Sequence, residues 1–185
     1  MDARLNQSGC CLIVLAEWKK KVYDFSKGIR AISSSIRRSI PAFLDSKIHH
    51  NNMLSLVIAK IHANIAGYDA AVMLDERGFV AELNDTNLFM LKGDTVYTPF
   101  AHACLPGITR QTFINLLEEN NMKIKERDLS LVEFINADLV FATGTNGEIT
   151  PVTEMDGREI KCNMKFLEKI KNLFESKLPS LCEPL

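Results

Sequence analysis

Residues Ala70 to Thr98 read AAVMLDERGFVAELNDTNLFMLKGDTVYT, and this stretch carries the clearest structural pattern in the chain. It holds four short apolar runs in two pairs, and the turn inside each pair contains a glycine, Gly78 in the first and Gly93 in the second. Glycine adopts the positive φ angles that tight hairpin turns require. The stretch therefore predicts two consecutive β-hairpins, the second of which ends at Pro99.

Helical patterns lie on both sides of these hairpins. Before them, apolar residues between Met53 and Ile65 recur at near-helical spacing and stop ahead of Gly67, which is typical of a glycine after a helix C-terminus. After them, helices are predicted from Thr109 to Asn121 and, with a charged solvent face, from Met164 to Leu178. A capping-box pattern at Ser130–Glu133 predicts a further short helix.

Five other runs favour β-strands, and the first is expected to be buried and to lead into a basic linker. They are Cys10–Ala16, Gly28–Ser35, Met122–Arg127, Leu139–Ala142 and Ile149–Met155. Strands in hairpins that are interrupted by helices predict a mixed α/β domain of the α+β type rather than a regular βαβ series.

The composition is that of an ordinary globular protein. The chain has 185 residues, 46% of them hydrophobic and 24% charged, which corresponds to about one domain with a little chain left over. Its 22 basic and 23 acidic residues give a net charge of −1, so no general attraction to nucleic acid or to an anionic membrane is expected. The longest apolar run is far shorter than the roughly 20 residues that span a bilayer. A cytoplasmic location is predicted, with an organelle left open.

Cysteine and histidine form no metal-binding motif in this sequence. The five cysteines, an odd number, include no C-x-x-C pair, and the four histidines have no carboxylate or thiolate at ligand spacing. We therefore expect reduced thiols and no metal site.

Four motifs go beyond secondary-structure pattern. They are Gly78–Glu82, Thr86–Phe89, Leu105–Arg110 and Thr143–Val152, in this order along the chain. Together they resemble the class IV pyridoxal-phosphate aminotransferases, a family that includes the branched-chain and D-amino acid aminotransferases and the aminodeoxychorismate lyases. The resemblance runs from about Ile29 to Gly157.

The resemblance implies the fold and the domain organisation. Residues 28–185 are expected to form the barrel-like α/β large C-terminal domain that binds the cofactor in the fold-type IV pyridoxal-phosphate enzymes, as in D-amino acid aminotransferase. Residues 1–27 are expected to be a remnant of the smaller N-terminal domain together with the interdomain linker. In the family, that smaller domain supplies an arginine to the cofactor phosphate and much of the dimer contact.

The resemblance also assigns roles to individual residues. Lys47 matches the Schiff-base lysine, which is both the catalytic residue and a cofactor ligand, since its amine joins the cofactor aldehyde and then carries a proton. Glu82 matches the carboxylate that contacts the pyridine nitrogen and keeps the ring able to accept electrons.

Two turns match the phosphate-binding positions of the family. Ile108 and Thr109 lie at the start of a helix, where exposed backbone N–H groups suit a dianion, and Gly144 and Thr145 form the second turn. Two local departures stand beside these matches: many members have a tyrosine five residues after the lysine where this chain has Asn52, and Leu83 replaces the usual glycine.

The function implied by the resemblance is an aminotransferase that uses pyridoxal 5′-phosphate to move the amino group of a branched-chain or related amino acid to 2-oxoglutarate. The stretches Asp45–Asn52 and Cys104–Arg110 look most like branched-chain aminotransferases. The expected partners are the small amino acid and 2-oxo acid substrates and a second copy in a homodimer, with neither nucleic acid nor membrane. Two alternatives remain open: a catalytically silent truncated protein that keeps the fold, and an aminodeoxychorismate lyase-like enzyme.

Overall fold

The computed structural model describes Gly9 and residues 11–181, and contains nine strands and four helices in that part of the chain. The strands are β1 (Ile29–Arg37), β2 (Ala70–Leu74), β3 (Val80–Leu83), β4 (Asn87–Lys92), β5 (Thr95–Thr98), β6 (Lys123–Glu126), β7 (Leu139–Gly144), β8 (Glu148–Met155) and β9 (Arg158–Glu159). The helices are α1 (Leu54–Ile65), α2 (Ile108–Glu119), α3 (Leu131–Ile135) and α4 (Met164–Leu181). Among the described residues, no helix combines the length and the apolar character needed to cross a membrane.

All nine strands belong to one mixed sheet in the order β3-β2-β1-β8-β7-β4-β5-β6, with β9 paired to β8. Both predicted hairpins are confirmed as the antiparallel pairs β2–β3 and β4–β5. Strand β1 runs parallel to both of its neighbours, β2 and β8. The mixed α/β fold class predicted from the sequence is therefore confirmed.

The short connection between the two hairpins requires the sheet to curl. Strands β3 and β4 are joined by residues 84–86 alone, although four other strands stand between them in the sheet order. Five interstrand steps in a flat sheet cover about 24 Å, whereas the connection spans at most about 14 Å when fully extended. The sheet therefore bends into a half-barrel, and the C-terminal end of β3 meets the N-terminal end of β4.

Helices α2 and α4 cover one face of the sheet through an aromatic cluster. The rings of Phe89 and Phe141 stack at 5.1 Å, and those of Phe113 and Phe174 stack at 4.6 Å. The first three of these side chains are fully buried. Because Phe113 belongs to α2, this cluster fixes the position of that helix on the sheet.

Most local predictions are confirmed, including the capping box of α3, in which Ser130 and Glu133 each accept the other's backbone N–H. The strand predicted at Cys10–Ala16 is wrong. Cys10 lies outside the described residues, and residues 11–20 have no regular secondary structure. The apolar side chains of Leu12 and Val14 are 88% and 85% exposed instead of buried. Strand propensity alone is insufficient here, because no described strand lies beside this run to complete its hydrogen bonds.

Candidate active site

One cavity of about 520 Å³ lies where the curled sheet brings β3, β4 and β7 close to the start of α2. All six residues singled out in the sequence line this cavity: Lys47, Glu82, Ile108, Thr109, Gly144 and Thr145. They come from the loop before α1, from β3, from the start of α2 and from the end of β7 and the turn after it. The curl of the sheet thus unites segments that are about 100 residues apart in sequence.

Lys47 lies on the loop between β1 and α1, as the resemblance implied. Its Nζ is 3.6 Å from Oδ2 of Asp45, and its side chain is 46% exposed. The Asp45 carboxylate also accepts the backbone N–H of Lys47 at 3.0 Å. The lysine is therefore accessible from the cavity, and its loop is held by a local turn rather than by packing.

Glu82 lies buried at the wall of the cavity and is held by two residues that the sequence did not single out. Its Oε1 is 2.8 Å from Nε of Arg38, and the amide Nδ2 of Asn87 donates to its Oε2 at 3.1 Å. The same amide donates to the carbonyl oxygen of Leu105 at 2.9 Å. The carboxylate orientation is therefore fixed, while each oxygen keeps a lone pair for a further donor.

The first turn of α2 offers free backbone N–H groups to the cavity. Its N-cap is Gly107, which has no side chain to accept hydrogen bonds from that turn. A Cβ at position 107 would lie 2.3 Å from Oδ1 of Asn87, so a larger residue would displace the amide that holds Glu82. Glycine therefore keeps the N–H groups of Ile108 and Thr109 open to an anionic ligand.

The end of β7 forms the second wall that suits an anion. A Cβ on Gly144 would lie 2.9 Å from Cγ2 of Thr86, so only glycine fits there without a shift. Next to it, the hydroxyl of Thr143 is buried, and among the described residues it is the one buried side-chain oxygen or nitrogen without a hydrogen-bond partner. An unsatisfied hydroxyl beside a cavity is the arrangement expected when a ligand supplies the partner.

The donor set as a whole fits a phosphorylated aromatic aldehyde. A lysine amine stands ready for the aldehyde, two backbone turns and a free hydroxyl stand ready for the phosphate, and a fixed carboxylate stands ready for a protonated ring nitrogen. Residues 5–155 match the family model described as Amino-transferase class IV. This chain belongs to the class IV aminotransferases.

Curated and solved relatives of this class IV aminotransferase agree with that assignment. The chain is 53% identical, over 86% of its length, to "Branched-chain-amino-acid aminotransferase-like protein 2" of Arabidopsis thaliana, of which it spans 29%. It superposes with a TM-score of 0.76 on the branched-chain amino acid aminotransferase of Escherichia coli, at 34% identity over 80% of this chain and 52% of that one. The branched-chain aminotransferase of Thermoproteus uzoniensis gives a TM-score of 0.75 at 30% identity, covering 80% of this chain and 50% of its own. This chain thus spans about half or less of the length of each of these relatives.

A contact outside the family motifs ties the segment before β1 to the cavity of this class IV aminotransferase. The hydroxyl of Tyr23 donates to the carboxylate of Asp85 at 2.8 Å, and burial, followed by the nearby Asp85 charge, raises the pKa of that hydroxyl. Asp85 belongs to the connection between β3 and β4 and lines the cavity. Sequence reasoning missed this pair, as it missed Arg38 and Asn87, because only the curled sheet brings the partners together.

The pKa of Glu82 in this aminotransferase chain is unusually high for a glutamate. Burial raises its pKa from the ordinary value of 4.5 to about 7, against the opposing effect of the Arg38 guanidinium. Between these two pH values the folded chain keeps a proton that the unfolded chain has released. The contribution of Glu82 to stability therefore falls as the pH rises from about 4.5 to about 7, and is constant above that range.

Glu82→Gln is expected to remove this pH dependence, because glutamine has nearly the same shape and does not titrate. The free energy of unfolding of the wild type, relative to Glu82→Gln, should decrease by about 3 kcal/mol between pH 4.5 and pH 8, since one pKa unit corresponds to about 1.4 kcal/mol. Urea unfolding of the cofactor-free proteins across this range measures the difference. The exposed Glu76, changed to Gln, serves as the control and should give a flat difference. A flat difference for Glu82→Gln as well would contradict the assigned ionisation.

Proposed function

We propose that residues 28–185 form the cofactor-binding domain of a pyridoxal-phosphate-dependent aminotransferase. The activity proposed for the protein is the transfer of the amino group of a branched-chain or related amino acid to 2-oxoglutarate. The observation that carries this proposal is the meeting of Lys47, Glu82 and two anion-binding turns in one cavity. Lys47, Glu82, Ile108, Thr109, Gly144 and Thr145 are the residues proposed to hold the cofactor.

Pyridoxal phosphate, when bound, supplies an aldehyde that captures amines and a ring that takes up the electron pair left at the amino acid Cα. The N–H groups of Ile108 and Thr109 bind its phosphate at the positive end of α2. The turn at Gly144 and Thr145 binds the phosphate from the other side, and the free hydroxyl of Thr143 adds a donor next to that turn.

Lys47 has two tasks in this proposal. Its Nζ holds the cofactor covalently until the amino acid takes its place, and the released amine then takes the proton from the substrate Cα. The exposure of its side chain leaves it free to move between these positions. Its loop stays in place meanwhile, because Asp45 accepts the backbone N–H rather than depending on Nζ alone.

Glu82 holds a proton on the ring nitrogen in this proposal. A cationic ring nitrogen beside the carboxylate replaces burial without a ligand by an ion pair, which favours the ionised form of Glu82. Arg38 and Asn87 orient the carboxylate through the contacts already described. Both are therefore positioning residues that act through Glu82.

The substrate class is proposed from the cavity lining and from the relatives. Apolar side chains of Ile48, Met53, Leu56 and Ile108 line the cavity and suit a branched aliphatic side chain. The printed names of the relatives describe branched-chain aminotransferases, and one of their solved structures is complexed with 4-methylvaleric acid. Another is complexed with N-(5′-phosphopyridoxyl)-L-glutamate, which is consistent with 2-oxoglutarate as the amino acceptor.

A homodimer is the proposed assembly, and residues 1–27 are proposed to belong to the linker and the smaller domain of the family. One face of α1 supports a further contact, since Leu54 and Ile65 at its two ends are 66% and 81% exposed. Val57 and Ile61 lie between them at helical spacing and are also exposed. Such a stripe is the kind of apolar surface that a partner covers.

A half-reaction tests the proposed activity on the full 185-residue chain. The chain is loaded with pyridoxal phosphate, freed of excess cofactor and mixed with L-leucine, with L-aspartate as a polar comparison of similar size. We expect L-leucine to remove the visible absorption band of the bound cofactor and release an equal amount of its 2-oxo acid, much faster than L-aspartate does. Added 2-oxoglutarate should restore the band.

Two results would contradict the proposal in different ways. Retention of the band with every branched-chain donor would favour a catalytically silent protein that keeps the cofactor-binding fold. Release of pyruvate from aminodeoxychorismate, without any reaction of L-leucine, would assign a lyase activity instead.

A further inference from the structure

The loop that carries Lys47 places a histidine in the cavity close to the lysine in sequence. Ile48, His49, His50 and Met53 line the cavity together with Lys47. Asn52, by contrast, is exposed and does not line it. Asn52 therefore does not take the place of the tyrosine that many class IV members have five residues after the lysine.

The hydrogen bonding of His50 makes it a donor. Its Nδ1 accepts the backbone N–H of Asn52 at 3.2 Å, so in the neutral ring the hydrogen resides on Nε2. The His50 side chain is partly buried, whereas that of His49 is exposed. The Nε2–H of His50 makes no hydrogen bond to the described residues and is free to donate to a ligand in the cavity.

Three neighbouring donors of the cavity wall are already committed. The guanidinium Nε of Arg38 and the amide of Asn87 each donate to Glu82 and to a backbone carbonyl. The hydroxyl of Ser46, on the lysine loop itself, also donates to a backbone carbonyl. His50 is therefore the partly buried free donor on this loop.

The chemistry of pyridoxal phosphate defines what such a donor meets. The hydroxyl oxygen of the ring is attached to the carbon next to the one that bears the aldehyde. A cofactor held through Nζ of Lys47 therefore has this oxygen near the lysine nitrogen. Its negative charge calls for a hydrogen-bond donor, and a hydrogen bond to a charged oxygen is among the stronger ones in proteins.

We infer that His50 binds the ring hydroxyl oxygen of pyridoxal phosphate through its Nε2–H and so performs in this chain the task that falls to the tyrosine in many relatives. The inference rests on the proposed function, since it requires a cofactor held through Lys47. The Asn52 backbone acts in it by holding His50 in the donor tautomer.

His50→Leu is expected to raise the pH midpoint of the visible absorption band of the Lys47-linked cofactor by about one unit. The reason is that loss of a donor destabilises the deprotonated form, in which the ring oxygen carries its full negative charge, and one charged hydrogen bond corresponds to a shift of about that size. His50→Gln, whose side-chain N–H can reach about as far as Nε2–H, should restore most of the wild-type midpoint. His62→Leu, an exposed histidine on α1, is the matched control and should leave the midpoint unchanged.

The other titratable groups that line this part of the cavity are Lys47 and His49 on the same loop, Glu82 on β3 and Asp85 after it. Since none of them is changed in these variants, a shift confined to His50→Leu reports on His50. The titration is read by absorption on the full chain, with no substrate present.

Two outcomes overturn the inference and are distinguishable. If borohydride fixes the cofactor on Lys47 in the wild type and His50→Leu titrates at the wild-type midpoint, His50 does not bind the ring oxygen and the proposed function stands. If no cofactor is fixed on Lys47 in the wild type, the proposed function and the inference both fail.

Discussion

Lys47→Ala should abolish the visible absorption band of bound pyridoxal phosphate and slow the half-reaction with L-leucine by about 10²- to 10⁴-fold, the usual effect of removing a general base. The fold should be unaffected, because the side chain is 46% exposed and its contact with Asp45 spans 3.6 Å. Exposed ion pairs of this kind contribute at most about 1 kcal/mol. Absorption spectra, stopped-flow traces and melting temperatures measure the three effects.

The control for that experiment is Lys125→Ala, which removes an exposed lysine from β6. It should retain the band, the rate and the melting temperature of the wild type. A Lys47→Ala protein that retains the band would contradict the assignment of Lys47.

Phe113→Ala should lower the free energy of unfolding by about 3–5 kcal/mol, the range seen when a buried phenylalanine is truncated. Phe113 is fully buried, stacks on Phe174 at 4.6 Å and lies 6.3 Å from the ring of Phe141. Its loss leaves a cavity between α2 and the sheet. Since α2 carries one of the proposed phosphate-binding turns, the affinity for pyridoxal phosphate should fall as well.

Urea unfolding and a cofactor titration measure these two effects of Phe113→Ala. Phe43→Ala is the control, because that side chain is 83% exposed and its removal should change stability by no more than about 0.5 kcal/mol. A loss below about 1 kcal/mol for Phe113→Ala would show that the aromatic cluster does not hold α2 on the sheet.

The elements that could be predicted from the sequence are those defined by local chemistry. Glycine turns at Gly78 and Gly93 mark the hairpins, and the Ser130–Glu133 capping box marks α3, whatever the rest of the chain does. The run at Cys10–Ala16 has the same apolar, strand-forming character, yet its described residues form no strand. A strand requires a neighbour as well as a propensity, and the sequence does not say where that neighbour is.

The candidate site divides in the same way. Lys47, Glu82 and the two turns could be found because each lies in a short motif that resembles the family. Arg38 and Asn87 could not, since neither belongs to a contact that sequence spacing defines, and Arg38 lies 44 positions before its partner Glu82. Their contacts arise from the curl of the sheet, which depends on the order of all its strands.

The proposed function depends on a cofactor held through Lys47, and peptide mapping tests that directly. The full chain is incubated with pyridoxal phosphate, reduced with borohydride, digested and examined by mass spectrometry. We predict one phosphopyridoxyl group per chain, on the peptide that contains Lys47 and on that residue. A modification spread over peptides without Lys47, or none at all, would contradict the assignment of this cavity as a pyridoxal-phosphate site.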